Sequence, residues 1–143
     1  MSYSLDVNLL LYASNLADPN YPAATSFLRD CLDDPELLVI GYPTVMAYLR
    51  IATHSGIFPK PLEPAQALAN IESLAARRQV RLVSEREGFL DTYRHLTGEF
   101  AVRGNLVSDA HLATLLHQHG VKVLYTNDAD FRKFDFLTVK NPF

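Results

Sequence analysis

The sequence predicts an α/β fold with a mostly parallel central sheet, and three observations carry that prediction. Short apolar runs alternate with longer segments whose apolar residues recur at helical spacing. The clearest of these runs, Leu37–Ile40, is continuous rather than alternating, as in a parallel strand covered on both faces. With 143 residues, 48% hydrophobic and 20% charged, the chain has the length and composition of one folded domain, taken here as residues 1–143. Strands that alternate with helices then imply right-handed crossovers.

Tyr3-Ser4-Leu5 reads as the first strand, Asp6-Val7-Asn8 as its polar end, and Leu9-Leu10-Leu11-Tyr12-Ala13 as the first turns of a helix. The turn cluster Asp18-Pro19-Asn20-Tyr21-Pro22 leads into a second helix from about Tyr21 to Asp33, with Ala24, Phe27, Leu28, Cys31 and Leu32 on one face. Asp33-Asp34-Pro35 ends it, and Leu37–Ile40 is the second strand. Gly41-Tyr42-Pro43-Thr44 opens a third helix, with Thr44 as a possible cap, Val45, Leu49 and Ala52 inward, and Arg50 along it. The proline-rich stretch His54–Pro64 is an extended loop. Pro64 suits the first position of a helix that runs to about Arg78 and buries Ala67, Leu68, Ile71, Leu74 and Ala75. Val80–Val83 is the third strand, Glu85–Val102 a helix interrupted near Gly98, and Asn105 starts a helix that stops at Gly120. Val121–Tyr125 is the fourth strand, Asp128–Phe134 a helical turn, and Leu137–Val139 a last short strand.

Composition excludes several classes of function. A net charge of −3 does not announce a nucleic-acid binder, although Arg77, Arg78 and Arg81 form a local basic cluster. Such a cluster suits either a solvated helix end or a partner. Cys31 is the single cysteine, so no internal disulfide and no cysteine-rich zinc site can form. No apolar run reaches membrane-spanning length, and Asp6 interrupts any signal-peptide pattern, which together point to a cytoplasmic protein.

The chemistry is concentrated in carboxylates. Asp6 fits two roles, a helix N-cap or a ligand at the carboxyl end of a strand, where α/β sheets bind their ligands. Asp128, after the fourth strand, has the same two readings. Asp109 falls among Leu106, Leu112, Ala113 and Leu116 on one helical face. A carboxylate in an apolar stripe requires a polar cleft, a metal ion or a cationic partner, because burying an unpaired charge is costly. The milder alternative is an aspartate favoured by the helix dipole and paired with an arginine. If Asp6, Asp109 and Asp128 converge, their hard oxygen ligands suit Mg²⁺ or Mn²⁺, which can activate water and offset charge on a phosphodiester. Helical spacing turns His111 and His117 away from the face of Asp109. Arg50 is either a surface arginine or a phosphate contact.

These residues also carry a family resemblance. The blocks are Leu5-Asp6-Val7-Asn8-Leu9-Leu10-Leu11-Tyr12-Ala13, Leu49-Arg50-Ile51-Ala52-Thr53 with Phe58 and Pro61-Leu62, Gly104-Asn105-Leu106-Val107-Ser108-Asp109-Ala110-His111-Leu112-Ala113, Thr126-Asn127-Asp128-Ala129-Asp130-Phe131, and Asn141-Pro142-Phe143. In this order and spacing they resemble the PIN-domain ribonucleases of the VapC toxin type, over nearly the whole chain. The resemblance implies a three-layer α/β/α sandwich and Mg²⁺- or Mn²⁺-dependent endonucleolytic cleavage of RNA. It also implies a homodimer and neutralisation by a cognate VapB-type antitoxin. By position, Asp6, Asp109 and Asp128 become the metal-holding acids, with Thr126 beside them and Asp130 at the rim. One departure stands out: Ala47 occupies the place where many PIN nucleases carry a glutamate. The competing expectation is therefore a PIN fold that binds RNA or antitoxin without efficient cleavage. A phosphotransfer domain of receiver or dehalogenase type fits less well, because Asp6-Val7-Asn8 lacks the second acid those sites need.

Overall fold

The computed structural model describes all 143 residues. Five strands, β1 (Ser2–Leu5), β2 (Leu37–Gly41), β3 (Val80–Val83), β4 (Val123–Tyr125) and β5 (Thr138–Lys140), form one sheet in the order β3-β2-β1-β4-β5. Every pairing is parallel, so the sheet is wholly rather than mostly parallel. Around it run α1 (Val7–Ala13), α2 (Tyr21–Asp33), α3 (Tyr42–Ala52), α4 (Pro64–Ala75), α5 (Phe89–Leu96), α6 (Asn105–Gln118) and a 3-10 helix over Ala129–Lys133.

Alternation along β2 divides the interior in two, as successive strand residues point to opposite faces. Leu38 and Ile40 join a core with Leu10, Cys31, Tyr48 and Ile71, beneath α1 to α4. Val39 joins the other core with Ala113, Leu116, Leu124 and Phe131, beneath α6 and the 3-10 helix. The result is the α/β/α layering that the family resemblance implied. In the first core the Tyr48 hydroxyl lies 2.8 Å from Ser14 Oγ and accepts from Asn70 Nδ2 at 3.0 Å, so its polar end is satisfied.

Two glycines fix where α3 and α6 start. A Cβ on Gly41 would meet Leu115 Cδ2 at 3.2 Å and Leu112 Cδ1 at 3.5 Å, so a bare backbone lets the end of β2 approach α6. Gly104, immediately before α6, has φ +57° and ψ −130°, a conformation open to glycine and strained for other residues.

Several element boundaries differ from the sequence expectations. Thr44 is a buried residue inside α3 and not its cap; Gly41 occupies that position. α4 ends at Ala75 instead of Arg78, and Leu68 lies on its exposed side. The long helix expected over Glu85–Val102 is confined to α5. Residues 84–87 are held along α6 instead: Gln118 Oε1 accepts from the Arg86 backbone N–H at 2.9 Å, and Gln118 Nε2 donates to the Arg86 carbonyl at 3.1 Å. β4 starts at Val123 and β5 spans Thr138–Lys140, each displaced slightly from the expected strand.

Candidate active site

Strand order locates the site. The chain moves from β1 outward through β2 to β3, then returns to the other side of β1 with β4, so the order reverses between β1 and β4. Crevices at such reversals, at the carboxyl ends of parallel strands, are where open α/β sheets place ligands. Asp6 follows β1, and Thr126-Asn127-Asp128 follows β4. The Asp6 backbone N–H donates to the Tyr125 carbonyl at 3.0 Å, extending the pairing to the edge of the crevice.

Asp6 fills both roles that its sequence position allowed. Its Oδ1 accepts from the Val7 N–H at 2.7 Å, making it the N-cap of α1, and its Oδ2 accepts from Thr126 Oγ1 at 2.9 Å. The Thr126 hydroxyl in turn accepts from the Asp128 N–H at 2.9 Å. One buried threonine thus ties the acid after β1 to the loop after β4. Asp6 is 8% exposed, and burial raises its carboxyl above the usual range, against the opposing effect of its two hydrogen bonds. Asp128 likewise caps the 3-10 helix, its Oδ1 accepting from the Asp130 N–H at 2.9 Å.

Asp109, Asp128 and Asp130 bring carboxylate oxygens within 4.8 Å of one another. Asp130, expected at the rim, is the exposed member of this cluster, while Asp6 sits beside it with both oxygens already engaged by protein donors. Asp109 makes no ion pair. The chain's one arginine–carboxylate pair is Arg94–Asp91, and the close His111–Glu85 contact likewise leaves Asp109 out, which removes the arginine-paired alternative. Its pKa is pushed up to about 6, first by burial and then by the charges of Asp128, Asp6 and Asp130. The charge of Lys133 offsets only part of this effect, and like charges gathered so make a site suited to a cation; three carboxylates form a hard oxygen donor set of the kind Mg²⁺ and Mn²⁺ take.

A cleft of about 550 Å³ opens beside this cluster. Asp6 and Asp109 line it together with Ala47 and Arg50 of α3, so the residue in the position of the customary glutamate does face the acids. Arg50 is exposed and unpaired. His111, turned away from Asp109 as expected, nevertheless also lines this cleft. The side of α6 facing the cleft is centred on Ser108 and Leu112, which leaves Asp109 and His111 on its two flanks. The sequence carried no signal for that centre, since it depends on where α3 approaches. His117 does lie elsewhere, its ring edge-on to Phe136 at 4.9 Å. Arg77, Arg78 and Arg81 gather around the amino end of β3, whereas the acids follow the carboxyl ends of β1 and β4, and none of the three lines the cleft.

No protein-family model matches the chain. It is 38% identical over 143 residues to ribonuclease VapC48 of Mycobacterium tuberculosis, covering 100% of this chain and 99% of that protein. In fold it is similar to VapBC2 of Rickettsia felis, solved bound to a promoter DNA fragment, with a TM-score of 0.71, 17% identity and 99% and 98% of the two chains covered. It is similar also to VapC20 of M. tuberculosis, a toxin that cleaves the sarcin-ricin loop, with a TM-score of 0.66, 12% identity and 91% and 92% coverage. Full-length identity to VapC48, on a fold shared with VapC20 and VapBC2, places this chain in the VapC ribonuclease family.

Proposed function

We propose that residues 1–143 act as a single PIN domain, a Mg²⁺- or Mn²⁺-dependent endoribonuclease toxin that cuts RNA phosphodiester bonds in the cytoplasm. The observation that carries this reading is the carboxylate cluster of Asp109, Asp128 and Asp130 at the sheet's reversal point, beside a cleft that Asp109 lines together with buried Asp6. Asp109 and Asp128 would hold the ion, with Asp130 beside them. Asp6 would contribute through the oxygen lone pairs that Val7 and Thr126 leave free. A bound divalent ion supplies Lewis acidity and a nucleophilic water at neutral pH. Thr126 holds Asp6 and the Asp128 loop in register, and Arg50 offsets the charge of a phosphate entering along α3.

The same reading gives the chain a VapB-type antitoxin partner, in keeping with the VapBC2 assembly whose fold it shares. A second cleft of about 430 Å³, lined by Leu10, Leu28, Ile71 and Leu74 with the Tyr48 ring, offers that partner an apolar seat among α1 to α4. A homodimer is the assembly the reading implies. No helix is long and apolar enough to cross a membrane.

Ala47 favours one specific alternative, a fold that binds RNA without cutting it. Purified protein incubated with structured RNA separates the two. Cleavage with Mn²⁺ that disappears in EDTA and in Asp6→Ala supports the nuclease. RNA binding with no cleavage in any divalent metal supports the alternative.

A further inference from the structure

The block Asn141-Pro142-Phe143, which follows β5, plays no part in the chemistry above, but it reaches the residue that grips the Asp128 loop. The root of that loop is fixed at Thr126. Its hydroxyl donates to Asp6, and its backbone N–H donates to the Lys140 carbonyl at 2.9 Å, which joins the end of β4 to the end of β5. The next residue, Asn127, is exposed, and its Nδ2 donates to the Tyr12 hydroxyl oxygen at 3.2 Å. Tyr12 belongs to α1 and is backed by Phe143, whose ring stands edge-on to it with centroids 5.6 Å apart and planes at 64°. The Phe143 N–H donates to Asn141 Oδ1 at 3.0 Å, and the Pro142 ring fixes its own φ between them. These local constraints turn the block onto α1, where an edge-to-face partner limits the swing of the Tyr12 ring.

One helix therefore serves two acids that are remote in sequence. Asp6 caps the start of α1, and Tyr12 stands less than two turns further along the same helix. Through Tyr12, α1 holds the residue immediately before Asp128, a member of the carboxylate cluster. A helix of fixed rise sets the distance between these two attachments, which a loop by itself would leave free to vary. We propose that Tyr12, buttressed by Phe143, is a positioning residue that sets Asp128 against Asp6 by holding Asn127. Neither ring needs to touch the reacting atoms. The consequence for metal binding rests on the acids being the metal site, whereas the positioning itself does not.

The test begins with NMR relaxation of the full chain in metal-free buffer. Backbone order parameters at Asn127, Asp128 and Asp130 should lie near the rigid value of about 0.85 in wild type. They should fall in Tyr12→Phe and in Phe143→Ala, while those of β4 and β5 stay unchanged. Phe143→Tyr, which keeps a ring against Tyr12, should behave as wild type. Mn²⁺ affinity by isothermal titration should weaken about threefold to tenfold in Tyr12→Phe, the scale of one neutral hydrogen bond. Asn127→Ala should give the same loss, and the double variant no further loss, because both substitutions remove one bond. A merely structural role would lower the melting temperature and leave loop order and Mn²⁺ affinity of the folded protein as they were. Equal loop order in wild type and Tyr12→Phe, undiminished affinity in Tyr12→Phe where wild type binds, or additive losses in the double variant overturns the proposal. A loosened loop in the variants, with no Mn²⁺ taken up even by wild type, would support the positioning and count against the metal reading alone.

Discussion

Asp109 forms no ion pair in the folded protein, and its pKa of about 6 compares with an ordinary 3.8, the charge of Lys133 offsetting only part of the upward push. Between these values the folded state keeps a proton that the unfolded chain has released, so stability falls as pH rises through that window and stays lower above it. Metal-free protein should therefore melt at a higher temperature at pH 5 than at pH 7, as scanning calorimetry would read. Asp109→Asn should raise the pH 7 melting temperature of metal-free protein, flatten that dependence and abolish cleavage, the trade between stability and function expected of charges held for a ligand. A melting temperature lowered at pH 7 by this substitution would mean that Asp109 is held by a favourable contact. Ala47 allows the opposite change. Ala47→Glu places a further carboxylate on the cleft wall, and should tighten Mn²⁺ binding several-fold while lowering the stability of the metal-free protein. Unchanged Mn²⁺ affinity would show that this wall does not reach the ion.

α6 carries both flanks of the site, so its starting point matters as much as any single acid. Gly104→Ala forces a side chain into φ +57°, ψ −130°, and should destabilise the fold by about 1–3 kcal/mol by chemical denaturation. A change within a few tenths would show that the backbone relaxes there without moving α6. At this scale the sequence was informative where local signals decide. The turn cluster and terminal acids around Tyr21–Asp33 matched α2 at both ends, and Pro64 marked the first residue of α4. It was uninformative where a distant partner decides. Glu85–Glu87 have helix-forming residues, yet Gln118 and His111 hold this stretch outside any helix. That His111 reaches the cleft was missed for the same reason: helical spacing turns it away from Asp109, but only tertiary packing shows how far around α6 the cleft extends.

The whole molecule brings its acids together through strand order. Asp6 and Asp128 are remote in sequence, and become neighbours because β4 pairs with β1 on the side away from β2. Apolar runs and the polar residues after them marked both strand ends in advance, so the three acids were legible as candidates. The pairing that gathers them was not, since it depends on which strand β1 accepts as its second neighbour. Asp130's entry into the tight cluster reflects the 3-10 turn that Asp128 caps, a geometry that residue types alone do not specify. Leu124 sits fully buried at the centre of β4, and Leu124→Ala should cost about 3 kcal/mol in unfolding free energy. Because that strand carries the Thr126–Asp128 loop, the same variant should bind Mn²⁺ more weakly at temperatures where it remains folded. Undiminished affinity would mean that the loop is held by its own hydrogen bonds.

Isothermal titration of metal-free protein with Mn²⁺ tests the carboxylate site most directly, alongside Asp109→Asn. One ion bound per chain in wild type, with release of protons near pH 6 and loss of binding in Asp109→Asn, is the expected result. Wild type that takes up no ion, or Asp109→Asn that binds as well as wild type, would contradict the assignment of this cleft as the metal centre.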